Sequence, residues 1–249
     1  MWRTPSLLLV ASCVGALLKD RPTLRVPRGG ATAVVRYANR GVGLAGFTSA
    51  LLLEAVPEWG LQKTKTRIDA ETIALFRDNV GGLVGMCLFA MTARDEKSLL
   101  NALLVSLLAY SFGAVRRWHR KKSRQSKSDI VVSSVLGALF LAAKFDTLVG
   151  AKVALAAAAA VAGYYFLIVA FNPTSYLEAD QTTVDAHTTF LARRSAPGLL
   201  ACLTLCLGGL DPYLSYEKLA FRAAFLSIAT LLALSKITAP PYEPSSHQP

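Results

Sequence analysis

The stretch Ala151–Asn172, AKVALAAAAAVAGYYFLIVAFN, carries a single charge, Lys152, in 22 residues. A helix of about 20 apolar residues is what the hydrocarbon core of a bilayer requires. The run does not alternate as a lipid-facing barrel strand does, and in lipid only helices and closed barrels satisfy their own backbone. A membrane-crossing helix is therefore predicted over 151–172. Working outward, six further apolar runs are bounded by charge, Pro or Gly: 35–56, 72–93, 98–115, 129–146, 196–210 and 217–236. The second and sixth runs are the least apolar at their starts, and 196–210 is short for a full crossing.

Composition agrees. Of the 249 residues, 53% are hydrophobic and 17% charged, and mean hydropathy is +0.41. A soluble domain would carry about 25% charged residues. The net charge of +11 sits mainly in the N-terminal segment and between apolar runs. That distribution fits contact with the bilayer and its anionic lipids, and no nucleic-acid partner is expected. Loops after the first, third and fifth runs collect Lys63, Lys65, Arg67 and the seven basic residues from Arg116 to Lys127. By the positive-inside rule this face is cytosolic or stromal.

Residues 1–16 read as a signal peptide, with Arg3, an apolar stretch from Leu7 to Val14 and small residues Val14-Gly15-Ala16 at a cleavage site. Residues 17–34 are basic and acid-poor, like a transit peptide. Together they predict delivery to a plastid membrane of an alga, as in a bipartite presequence. The plainer reading is an ordinary secretory protein of the endomembrane or plasma membrane with a basic first loop. Residues 237–249, Pro-rich with little apolar content, are expected to be disordered.

Shifting the chain by 116 positions superposes PEWGLQKTKTRIDAETIALFRDNVGGL, 57–83, on PTSYLEADQTTVDAHTTFLARRSAPGL, 173–199, with ten identities in 27 positions. Ordinary residue frequencies would give roughly two. The first run maps on the fifth, the second on the sixth and the third on the seventh. An even number of spans separates the copies, so the repeat is parallel. The predicted fold is all-α integral membrane, about seven transmembrane helices in two parallel repeats, four plus three, over 35–146 and 151–236. Pro57 and Pro173 end one helix; Asp69 with Thr72, and Asp185 with Thr188, suit N-caps of helices beginning near 70 and 186. Gly81 with Gly85 suits close helix approach, and Pro197 should kink or restart the sixth helix.

Arg77 and Arg193 fall about two turns into their helices, roughly 12 Å from the caps. Such an arginine snorkels, pairs or faces a cavity. The structural reading is a helix-tying arginine. The functional one is a pseudo-symmetric site for an anionic headgroup or small anion, built from Arg77, Arg193, Asp69 and Asp185, with Asp78, Glu178 and Asp180 as further acid partners. Arg116, Arg117, Arg120, Lys121, Lys122, Arg124 and Lys127 are read as a solvated loop that contacts anionic lipid. Cys202 and Cys206 share a helix face without further ligands, and His119, His187 and His247 are scattered, so no metal, cofactor or catalytic set is expected. Tyr164 and Tyr165 bring hydrogen-bonding groups to the alanine-rich helix.

An apolar helix ending in Pro, a polar connector, an Arg and then a Gly-Leu helix start, here Pro57, Arg77, Gly82, Leu83 and their second copies, resembles the small four-helix membrane modules of the DoxX-like kind. The resemblance implies architecture and no particular chemistry. The expected role is assembly with other membrane components, ahead of transport or binding of a small anion or lipid between the repeats. A membrane-embedded enzyme is the least favoured reading.

Overall fold

The computed structural model describes residues 30–145 and 150–237. The leader at 1–16, the segment 17–34 up to residue 29, and the tail beyond residue 237 lie outside the described residues. From Val35 onward the chain is one compact unit; of the unit before it, only the first turn of a helix is described.

The elements are α1 (Gly30–Ala55), α2 (Pro57–Lys63), α3 (Ala70–Thr92), α4 (Glu96–Lys121), α5 (Arg124–Lys144), α6 (Ala151–Phe171), α7 (Pro173–Ala179), α8 (Ala186–Arg193), α9 (Ala196–Gly209) and α10 (Tyr216–Ile237). There is no strand among the described residues. Among the described residues, five helical stretches are long and apolar enough to cross a membrane: α3, α4, α5, α6 and the run Ala186–Gly209 formed by α8 and α9. The first and seventh apolar runs are helical too, as α1 and α10, but are not among those five. Arg36, Arg40 and Glu54 fall within α1. The start of the sixth helix lies further back than 196: α8 supplies its first turns, and Pro197 opens α9 as a restart. A proline there costs little because the first N–H groups of a helix have no intrahelical acceptor.

Two connectors share one local geometry. Val56 (φ −130°, ψ 68°) precedes Pro57, and Asn172 (φ −137°, ψ 59°) precedes Pro173. Each proline opens a seven-residue helix, α2 or α7. Both helices stop in the same way, with Lys65 (φ 52°) and Gln181 (φ 54°) in the left-handed region. The N–H of Thr66 donates to Leu61 O at 2.9 Å, and that of Thr182 to Leu177 O at 2.8 Å. These are Schellman closures, which normally favour glycine at the left-handed position. Asp69 and Asp185 then cap α3 and α8 through capping boxes with Thr72 and Thr188. Each threonine is fully buried and sends its hydroxyl back to a carbonyl, Arg67 O at 2.7 Å and Thr183 O at 2.6 Å.

The connectors also meet each other. Leu61, Leu75 and Phe76 pack with Leu177, Phe190, Leu191 and Ala192 in one apolar cluster. Asn79 donates from Nδ2 to Leu191 O at 2.9 Å. Small residues set the closest helix approaches: a Cβ on Gly85 would lie 2.5 Å from Ser106 Cβ and 2.8 Å from Ala102 O, so α3 and α4 touch there. At the other end of the bundle, Asn39 Nδ2 donates to Glu217 O and Arg36 pairs with Glu217, both at 2.9 Å, tying α1 to the start of α10.

The basic stretch from Arg116 to Lys127 is not a loop. It is the last turns of α4, a two-residue corner and the start of α5. Lys122 closes α4 in the left-handed region, its N–H on Trp118 O at 2.8 Å, and Ser123 caps α5. This corner places part of the basic run inside the bundle.

Candidate functional site: a buried charge cluster at the end of an apolar cavity

Arg117 is one of those inward residues. Helical spacing puts Leu103, Ser106, Tyr110, Gly113 and Arg117 along one face of α4, and Arg117 is 3% exposed. Its Nη1 donates to Asp78 Oδ2 on α3, its Nη2 donates to Asp129 Oδ2 on α5 at 2.8 Å, and its Nε lies 3.7 Å from Asp180 Oδ1 after α7. Three carboxylates from three elements therefore surround one guanidinium.

Burying ions costs several kcal/mol each unless the remaining lone pairs are filled. Two of the three carboxylates are filled. Asp129, fully buried, accepts from Tyr165 OH at 2.6 Å and Gln125 Nε2 at 2.7 Å on Oδ1. Asp180 accepts from Ser123 Oγ at 2.9 Å and Ser126 Oγ at 2.8 Å, and from Thr182 Oγ1 at 3.1 Å. Lys121, one turn beyond Arg117, extends the network: its Nζ pairs with Glu71 at 2.9 Å and donates to Thr182 Oγ1 at 2.6 Å.

Below the cluster, between α3, α4, α5, α6 and α9, lies a cavity of ≈ 120 Å³. Asp78 is the single charged side chain among its described lining residues, and Tyr110, Ser133, Tyr165 and Tyr176 line it at the cluster end. At the other end the walls are Leu103, Leu136, Phe140, Ala158 and Cys206. Seven residues of α6, from Tyr165 to Ala158, separate the two ends, about 10 Å along the helix. Burial pushes the Tyr176 phenol well above its ordinary range, so its hydroxyl keeps its proton at any physiological pH. The space is of the order of the ~150 Å³ engineered cavity that admits benzene.

The residues singled out by sequence divide into three groups. Asp69 and Asp185 come together on one arginine: Arg67 donates from Nε to Asp69 and from Nη1 to Asp185 Oδ2 at 2.7 Å. Burial alone would raise both carboxyls, but the N–H groups of Thr72 and Thr188 together with the Arg67 guanidinium hold them below the usual aspartate range. Arg77 and Arg193 do not line the cavity. Arg77 Nε lies 4.0 Å from Glu54 Oε1, and the Nε atoms of both arginines are buried without a hydrogen-bond partner among the described residues.

Among the basic run, Arg120, Lys122, Arg124 and Lys127 are exposed, which is compatible with a headgroup face. Arg116 is half-buried and pairs with Glu54 at 3.0 Å, over the ring of Phe112. Arg117 and Lys121 correct the reading of a uniform lipid-facing patch, because their helix face turns inward onto acids. Sequence reasoning named Asp78 and Asp180 only as partners for Arg77 and Arg193, and passed over Asp129, Tyr110, Gln125 and the Ser123–Ser126 corner. Tyr165 was noted without its partner.

The chain matches no protein-family model, no curated protein and no solved structure.

Proposed function

We propose that this chain is a multipass membrane protein that binds a small amphipathic molecule inside its helical bundle. The observation that carries the reading is the polarity of the cavity: one charged and several hydroxyl-bearing residues at one end, and apolar walls about 10 Å away. Mostly apolar pockets with a few convergent polar groups are the usual form of small-molecule sites. The absence of Arg77 and Arg193 from the lining directs the reading away from an anion and toward a lipid-like ligand.

Seven crossings in two parallel repeats belong to the same proposal. Support for the repeat comes from the shared geometry of the connectors at Pro57 and Pro173 and of the caps at Asp69 and Asp185, each at the 116-residue offset. In this arrangement the cavity lies between the copies. The charge cluster sits at the basic end of the bundle, Arg117 about 6 Å from the end of α4 and Asp78 about 12 Å from the start of α3. That end faces the cytosol or stroma, and a plastid membrane remains our proposed location from the leader sequence.

The test is retention. Wild-type protein purified gently from its membrane should carry a small molecule detectable by native mass spectrometry. Val161→Phe, which puts a ring in the middle of the cavity, should fold and lose it. Equal small-molecule content in both would leave a structural or assembly role as the better reading.

A further inference from the structure

The charge arrangement at the polar end also selects a head group, an inference that rests on the cavity being a ligand site. Three carboxyl groups, Asp78, Asp129 and Asp180, share the one guanidinium of Arg117. Of the other cations, Lys121 holds Glu71, and Arg116 shares Glu54 with Arg77. Asp129 and Asp180 are satisfied by neutral donors from Tyr165, Gln125, Ser123, Ser126 and Thr182.

Asp78 is the acid with capacity left. Its Oδ2 takes the Arg117 bond, whereas its Oδ1 accepts no hydrogen bond among the described residues and lies against Gly113, where any side chain would collide with it. Glycine at that position keeps the carboxylate's space open. The same carboxylate is the charged residue of the cavity wall, whose described lining also holds the aromatic side chains of Tyr110, Tyr165 and Tyr176. An anion there would face three acids with one guanidinium between them. A neutral hydroxyl would fill the lone pair and leave the charge. A cation fills both, and aromatic faces add to its attraction.

We propose that the cavity takes a small aliphatic amine in its protonated form, its ammonium on Asp78 and its chain running past Val161 toward Phe140. A ~10 Å cavity accepts about six to eight carbons at ordinary carbon–carbon spacing.

The experiment compares hexylamine, hexanol and hexanoate as ligands for the purified full chain at neutral pH by ligand-observed NMR titration. Hexylamine should bind about tenfold or more tightly than hexanol, as a charge-assisted bond exceeds a neutral one, and hexanoate should be the weakest. Asp78→Asn should weaken hexylamine by about tenfold or more and change hexanol by less than about threefold. The ranking in wild-type protein needs no variant, so it stands if Asp78→Asn fails to fold. Hexanol binding as tightly as hexylamine, with both lost in Val161→Phe, overturns the amine assignment and leaves the cavity reading intact. Binding of none of the three, or binding unaffected by Val161→Phe, overturns both.

Discussion

Arg117 and Asp129, twelve residues apart across the corner between α4 and α5, are joined by a 2.8 Å hydrogen bond with both side chains buried. The bond makes the basic corner part of the core. It also ties the start of α5 to the end of α4, and Arg117 is held from the other side by Asp78 on α3.

Arg117→Ala should therefore destabilise the protein by about 3–5 kcal/mol, since removing one partner leaves buried carboxylates without their counter-charge. Arg124→Ala, an exposed position seven residues on, should stay within about 0.5 kcal/mol. Thermal unfolding of the two variants in the same detergent measures the difference. Equal effects would mean the cluster contributes little to stability.

Gln181 occupies the left-handed position that closes α7, φ 54°, where a residue other than glycine is strained. Gln181→Gly should raise stability by about 0.5–1 kcal/mol, whereas Gln181→Ala should give no such gain. The Lys121 contact at this residue is to the backbone carbonyl and survives both changes.

Acid should loosen the connectors. The carboxyls of Asp69 and Asp185 are held below the ordinary value of 3.8 in the folded protein, so their contribution is complete above that value and is lost as pH falls through the lower folded one. Thr72→Ala and Thr188→Ala should each cost about 1 kcal/mol at neutral pH by opening a capping box. Wild-type stability should start to fall as pH drops below 3.8, whereas the Thr→Ala cost, which comes from the hydroxyl bonds to the Asp N–H and to Arg67 O or Thr183 O, should persist.

Gly85 lets α3 and α4 touch, with Ser106 Cβ 2.5 Å and Ala102 O 2.8 Å from where a Cβ would sit. Part of that contact is backbone and cannot move aside. Gly85→Val should cost about 1–3 kcal/mol, at the level of overpacking, and Gly137→Val, where nothing lies within 4 Å, should be nearly neutral.

The local elements were readable in the sequence because their causes are local. Pro57 and Pro173 end helices by lacking an N–H, and Asp69 and Asp185 three residues before threonines are capping boxes wherever they occur. Ala70 and Ala186 accordingly begin their helices where the spacing put them. The charge cluster was not readable from composition, because Arg117 lies in a run of basic residues whose average looks solvated, and Asp129 looks like a boundary charge at the start of an apolar run. The signal was the helical period: Leu103, Ser106, Gly113 and Arg117 continue one buried face, and α4 ends four residues further on at Lys121. Pairing with Asp78 and Asp180 depends on how four helical elements meet, which no single segment encodes.

The central claim is that the cavity beside Asp78 is a ligand site, and density for the protein purified gently from its own membrane tests it most directly. The account predicts continuous non-protein density from Asp78 Oδ1 toward Phe140, with Arg117 still on Asp129. A cavity closed by its own side chains, or density along Phe140 that ends without reaching Asp78, would contradict it.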